Sequence, residues 1–116
     1  MFDVVAALVE WLPGKLGVPA YSKVPAPRPS RFVTVTRTGG EAEKFLDRPT
    51  LAVQTWGESD LDAATLALTT RNALSRAAEL EIPQICSCKV EAIYDFPDPD
   101  SSQSRQQLTV RATTRL

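Results

Sequence analysis

The clearest periodic signal in the chain lies at 31–38, RFVTVTRT, where Val33 and Val35 alternate with Thr34, Thr36 and Thr38. Alternation of apolar and polar residues is what a half-buried strand requires, because successive side chains point to opposite faces. Residues 50–56 repeat it, with Leu51, Val53 and Thr55 opposite Ala52, Gln54 and Trp56, and Gly57 closing the run. Gly39-Gly40 ends the first strand, and 41–48 reads as a polar loop whose only large apolar residues are Phe45 and Leu46. The two strands are therefore expected to form a hairpin with a long, mobile tip.

The period then changes. Ser59 offers a helix N-cap, with Asp60 and Asp62 in the first turn, where the helix dipole favours negative charge. Over 60–80, steps of about 100° place Ala63, Leu66, Ala67, Thr70, Ala73, Leu74, Ala77 and Leu80 on one face. Arg71, Asn72, Ser75, Arg76 and Glu79 fall on the other. An alanine-rich face lets a helix approach a sheet closely. Leu61 and Leu68 land on the polar side, and two leucines on one ridge mark a candidate contact between subunits.

The remaining elements are shorter. Phe2, Val5, Ala6, Leu8, Val9 and Leu12 predict a helix over 2–12, stopped by Pro13-Gly14. Residues 20–24 form a short strand candidate. The stretch VPAPRPSR, with proline at alternate positions, belongs to a sheet edge or a connecting loop, because proline cannot donate to a ladder. A strand at 84–94 is expected to carry Cys86, Cys88, Val90, Ala92 and Tyr94 on one face. At 107–115, Leu108, Val110 and Ala112 alternate with Thr109, Arg111, Thr113 and Arg115. The order α-β-β-β-α-β-β predicts a single α+β domain over 1–116. Its expected form is a two-layer sandwich, with a mainly antiparallel sheet and both helices on one face.

Composition narrows the function classes. Charged residues make up 23% of the 116 residues and the net charge is −1, with no basic stripe of the kind that grips nucleic-acid backbone. No apolar run approaches the roughly 20 residues a membrane span needs. The start, MFDVVAALVEWLPGKLG, lacks a positive leading region and is broken by Asp3 and Glu10, which reads against a signal peptide and for the cytoplasm. There is no histidine, which removes the commonest general base and the commonest transition-metal ligand together. Phosphate-cradling glycine loops are also absent. Cys86 and Cys88, the only cysteines, sit at strand spacing, where a mutual disulfide would be strained; they are expected to be reduced core residues. No catalytic residue, metal ligand or cofactor is assigned.

The segment YDFPDPDSSQSRQ (94–106) holds the one cluster that invites a metal reading, through Asp95, Asp98 and Asp100. A hard-cation loop wants six or more oxygens, a glycine at the sharp turn and a bidentate glutamate further on. Here Pro97 and Pro99 stiffen the backbone and no glycine is near, so the segment reads as the charged tip of a hairpin. Trp11 and Trp56 read as packing residues with interface contact as a second role. Arg111 and Arg115 give the last strand a polar face, either solvated or meeting an electrostatic partner, and the stretch from Arg31 to Arg37 reads the same way.

Four pieces, in this order and spacing, resemble the tail terminator (tail completion) proteins of long-tailed phages and prophages. They are VPAPRPSRFVTVTRTGG, DRPTLAVQTWG, the Ala-rich helix opening ESDLDAA, and YDFPDPDSSQSRQQLTVRATTR. The resemblance runs nearly end to end, and PRPSRFV and YDFPDPD carry most of it; no single motif is catalytic. It implies a non-enzymatic virion protein made in the host cytoplasm. Such proteins form a ring, typically a hexamer, on the head-proximal end of the tail tube. The ring ends tube polymerisation and offers a surface to the head-completion or neck proteins. The implied partners are further copies of itself, the tail tube protein and the neck protein, with no membrane. No specific nucleic-acid recognition is implied, since the genome passes through the lumen. Candidate ring or tube contacts are Phe45, Asp95, Asp98 and Asp100 at the two tips, Leu61 and Leu68 on the helix, and Arg111 and Arg115 on the last strand.

Two other classes share features with the chain. Helix–strand–strand–strand–helix is also the order of the double-stranded-RNA-binding fold, which needs cations at the start of its second helix. Here that position holds Glu58, Asp60 and Asp62. A small carboxylate-dependent enzyme or ligand-binding domain would need two acids converging in one pocket, and no pair has that spacing.

Overall fold

The computed structural model of the protein describes residues 2–116, the side chains of 78–80 excepted. The chain forms α1 (Val4–Leu16), β1 (Ala20–Tyr21), β2 (Phe32–Ala42), β3 (Leu46–Gly57), α2 (Asp60–Leu80), β4 (Ile85–Asp95) and β5 (Ser104–Arg115). The strands make one sheet in the order β1-β2-β3-β5-β4. β1 runs parallel to β2 over two residues, and every other pair is antiparallel. Both helices lie on one face: α1 over β1 and β2, α2 over β3, β5 and β4. The fold is the α+β two-layer arrangement that the periodicity predicts.

The alternation in the strands decides which residues meet the helices. Val33, Val35, Leu51, Val53, Leu108 and Val110 face them and are fully buried. They pack with Val4, Leu8 and Leu12 of α1 and Leu66, Ala67, Leu74 and Ala77 of α2. α2 begins where its sequence says: the Ser59 side chain accepts from the Asp62 backbone amide at 3.1 Å. Gly57 lets this helix start against the end of β3, since a Cβ there would stand 2.5 Å from the Ala63 nitrogen. The expected places of Glu79 and Leu80 on that helix lie outside the described residues.

Four expectations are corrected. α1 does not stop at Pro13 but runs on to Leu16, ending at a Gly17 cap with φ 71° whose amide bonds the Pro13 carbonyl at 2.9 Å. Proline near a helix end deletes one hydrogen bond of the ladder, and the left-handed glycine then closes the last turn. The segment 39–48 is not a long loop. β2 and β3 stay paired out to Ala42 and Asp47, so the turn is only 43–45, closed by the Glu43 amide on the Leu46 carbonyl at 2.6 Å. The two partners of that pairing are themselves polar, so no alternation of hydrophobicity announces it.

In β4 the register slips between Ile85 and Ser87 and again between Val90 and Ala92. Each bulge inserts a residue and reverses the facing of the residues after it. Ile85, Cys88, Val90 and Ile93 therefore turn toward the helices, while Ala92 and Tyr94 turn away. Cys86 falls in the first bulge and is exposed, and Cys88 is half-buried; both are free thiols. Burial pushes the Cys88 thiol up to about 11.

Candidate functional site

The sheet face opposite the helices is polar, and its rows can be read across the strands. One row holds Phe32, Trp56 and Arg105; the next holds Thr34, Gln54, Gln107 and Tyr94. The second row is a continuous hydrogen-bond chain. Trp56 Nε1 donates to the Thr34 hydroxyl at 3.2 Å, and that hydroxyl donates to Gln54 Oε1 at 3.2 Å. Gln54 Nε2 donates to Gln107 Oε1 at 2.9 Å, and Gln107 Nε2 to the Tyr94 hydroxyl at 2.7 Å. Each amide accepts from one neighbour and donates to the next, which fixes both glutamines in one orientation. A third row, Thr36, Ala52, Thr109 and Ala92, is small and flat.

The first row explains a fully buried tryptophan on a face with no helix. Trp56 stacks on Phe32 with centroids 5.0 Å apart, and Arg28 and Arg105 lie over its ring at 5.3 and 4.9 Å. Arg105 also covers Phe96 at 4.4 Å. Arg28 comes from the proline-rich segment and reaches the β4–β5 hairpin, where Nη1 donates to Asp98 Oδ2 at 2.9 Å. Gln103 Nε2 adds a bond to the Ser30 carbonyl at 3.2 Å. The proline-rich segment and the aspartate-rich hairpin are thus docked on each other and together close over the tryptophan.

The three aspartates consequently separate. Asp98 is 7% exposed and accepts from the Ser101 hydroxyl, Arg28 and the Asp100 amide. The Ser101 hydrogen bond first, and the Arg28 guanidinium second, hold its carboxyl down to about 2. Asp95 is exposed and accepts from Gln106 Nε2 at 3.3 Å; Asp100 is exposed. Among the described residues no three acids or thiols gather in a way that could hold a metal ion. Asp98 belongs to the hairpin's internal bonding, while Asp95 and Asp100 remain at the surface.

The other candidates spread over the molecule. Phe45 stands at the turn between β2 and β3, 74% exposed. Leu61 and Leu68 on α2 are 78% and 48% exposed. Arg111 lies on the polar sheet face, paired with Glu91. Arg115 Nη1 donates to the Pro83 carbonyl at 2.7 Å, at the same end of the sheet as Phe45, whose carbonyl accepts from the Leu116 amide at 3.3 Å. The arginines at 31 and 37 are both taken: Arg31 by Asp62 at 3.0 Å, and Arg37 bidentately by Asp47 at 2.5 and 2.8 Å. The hydrogen bond from Arg37 depresses the Asp47 carboxyl, and Asp47 in turn raises Arg37.

Two features escaped the sequence reading. One is the Arg28–Trp56–Arg105 stack, whose only trace is an arginine inside a proline run. The other is Glu81, just past α2, which accepts from Trp11 Nε1 and Lys15 Nζ; the Lys15 hydrogen bond, then that of Trp11, lowers its pKa. An open groove of about 500 Å³ runs beside this cluster, between Phe2, Trp11 and residues 81–84.

From Thr36 to Phe45 every residue is exposed, although 36–42 pair with β3 through a bulge between Arg37 and Gly39. α1 covers β1 and the start of β2, and β1 pairs with β2 only at Val33 and Thr34; further along, the Arg37 guanidinium donates to the Gly39 and Gly40 carbonyls at 3.1 and 3.3 Å. No helix of the described residues is long and apolar enough to cross a membrane. No protein-family model matches the chain, and no curated protein matches it significantly.

Proposed function

We propose that the chain is a structural subunit that assembles into a ring on the head-proximal end of a phage tail tube, ending polymerisation and presenting a joining surface to the head. The observation that carries this reading is the exposed half of β2 that β1 does not reach, with its tip, residues 36–45. A strand edge with no second partner strand is a liability in a free monomer and an asset in a subunit that meets neighbours. Phe45 at the tip gives it an apolar anchor of the kind interfaces favour.

The two segments that carry the resemblance to tail terminators, PRPSRFV and YDFPDPD, also support it. They form one docked unit through Arg28, Asp98, Ser30 and Gln103. A shared requirement for that unit would link their sequences. In this reading Asp98 and Trp56 shape the unit from within, while Phe45, Asp95 and Asp100 remain available to partners.

The test is a polymerisation assay with purified tail tube protein and increasing amounts of this chain. Tubes that stop lengthening at a few chains per tube end support the proposal. Tube growth indifferent to the chain at stoichiometric excess sinks it.

A further inference from the structure

We infer that the two lateral edges of this molecule are the two halves of one self-association surface: the α2–β4 edge of one copy docks on the α1–β1 edge of the next. The pairing rests on the ring reading for its closure, and on the two edges themselves for its contacts.

The layer order places the edges on opposite sides. α1 lies over β1 and β2 at one end of the sheet, and α2 reaches β4 at the other. At the α2–β4 edge, the exposed Leu68 and the half-buried Val90 and Ile93 line a groove, with Arg71 on its rim. At the α1–β1 edge, the half-buried Val5 and Val9 line a second groove with Ala6, and Glu10 is on its rim. Arg71 and Glu91 border the first strip and Asp3 and Glu10 the second, and Arg71 and Glu10 are of opposite sign.

The neighbouring charges do not cancel this match. Glu91 is engaged by Arg111, Lys15 by Glu81, and Asp3 caps α1 through the Ala6 amide at 3.1 Å. Arg71 and Glu10 have no side-chain ion pair among the described residues. Opposite charges on a rim steer and orient association, and like charges placed together oppose it. The bulges in β4 kink its outer edge, so the fit is through side chains rather than an added ladder. Two different surfaces meeting head to tail form a heterologous contact, which closes into a ring when the rotation permits.

The test is sedimentation equilibrium of the full chain in reducing buffer, over a wide concentration range. It compares wild type with Glu10→Arg, Arg71→Glu and Leu68→Glu, whose thermal melts report whether the fold is intact. Each variant is expected to weaken association by about tenfold or more. An equimolar mixture of the two charge variants is expected to regain it, because every contact can then pair unlike charges. Association equal to wild type in all three variants overturns the inference while leaving the ring reading intact. If wild type stays monomeric in solution, capping of purified tail tubes becomes the readout. Equal capping by the variants overturns this interface alone, and no capping by wild type overturns both.

Discussion

Replacing Asp98 with alanine removes the acceptor on which the proline-rich segment and the β4–β5 hairpin converge. Its carboxylate accepts from Arg28, Ser101 and the Asp100 amide while being 7% exposed. A hydrogen bond to a buried charged group is worth about 1.5–3 kcal/mol, but an exposed ion pair only about 0.2–1 kcal/mol. Arg28 is 36% exposed, so its share sits toward the lower figure. With the Ser101 bond added, a total near 2.5 kcal/mol is a fair order of magnitude. A domain of this size loses roughly 0.24 kcal/mol per degree near its midpoint, so the melting temperature should fall by about 10 °C.

The pH dependence follows from the direction of the shift. A carboxyl held down to about 2 favours the ionised form in the folded state. Its stabilisation is present above the ordinary carboxylate value of about 3.9 and is lost as pH falls toward the folded value. The gap between wild type and Asp98→Ala, followed by circular dichroism melts, should therefore be full at pH 7 and narrow from about pH 4 downward. A variant melting within about 2 °C of wild type at pH 7 would refute the reasoning, as would a cycle with Arg28→Ala showing coupling below about 0.3 kcal/mol.

Single contacts set the other expected outcomes. Gly57→Ala drives a Cβ to 2.5 Å from the Ala63 nitrogen and should cost about 1–3 kcal/mol in denaturant titrations, whereas Gly14→Ala, with open space around it, should not destabilise. Native protein should react with a thiol reagent at Cys86 well before Cys88, whose thiol burial pushes up to about 11; equal rates would place Cys88 wrongly. Phe45→Ala should change stability by less than about 0.5 kcal/mol, since the ring is 74% exposed, yet abolish arrest of tube growth. A fully active Phe45→Ala would remove the tip from the contact surface.

How much of the fold and site was legible depended on whether the cause was local. α2 was readable to its first residue, because Ser59, Asp60 and Asp62 act within one turn. The two valine–threonine strands were readable because their partners are apolar on one side only. The extension of β2 and β3 was not, since Glu41 with Arg48 and Ala42 with Asp47 pair without an apolar face to announce them. The facing of β4 was lost at the bulges, where one inserted residue inverts the pattern. Asp98 looked like a tip residue because the arginine that claims it lies 70 positions earlier. Of the candidate contacts, Phe45, Leu61 and Leu68 were found by exposure against pattern, which sequence can supply. Pairing of remote charges it cannot.

A ring that ends tube growth must sit on the tube end. Tail tubes assembled with an excess of this chain and viewed end-on by cryo-electron microscopy give the most direct test. The predicted result is a closed ring of copies on one end of each tube, with the turn at Phe45 against a neighbour or the tube. Tubes with both ends bare at saturating protein would contradict it.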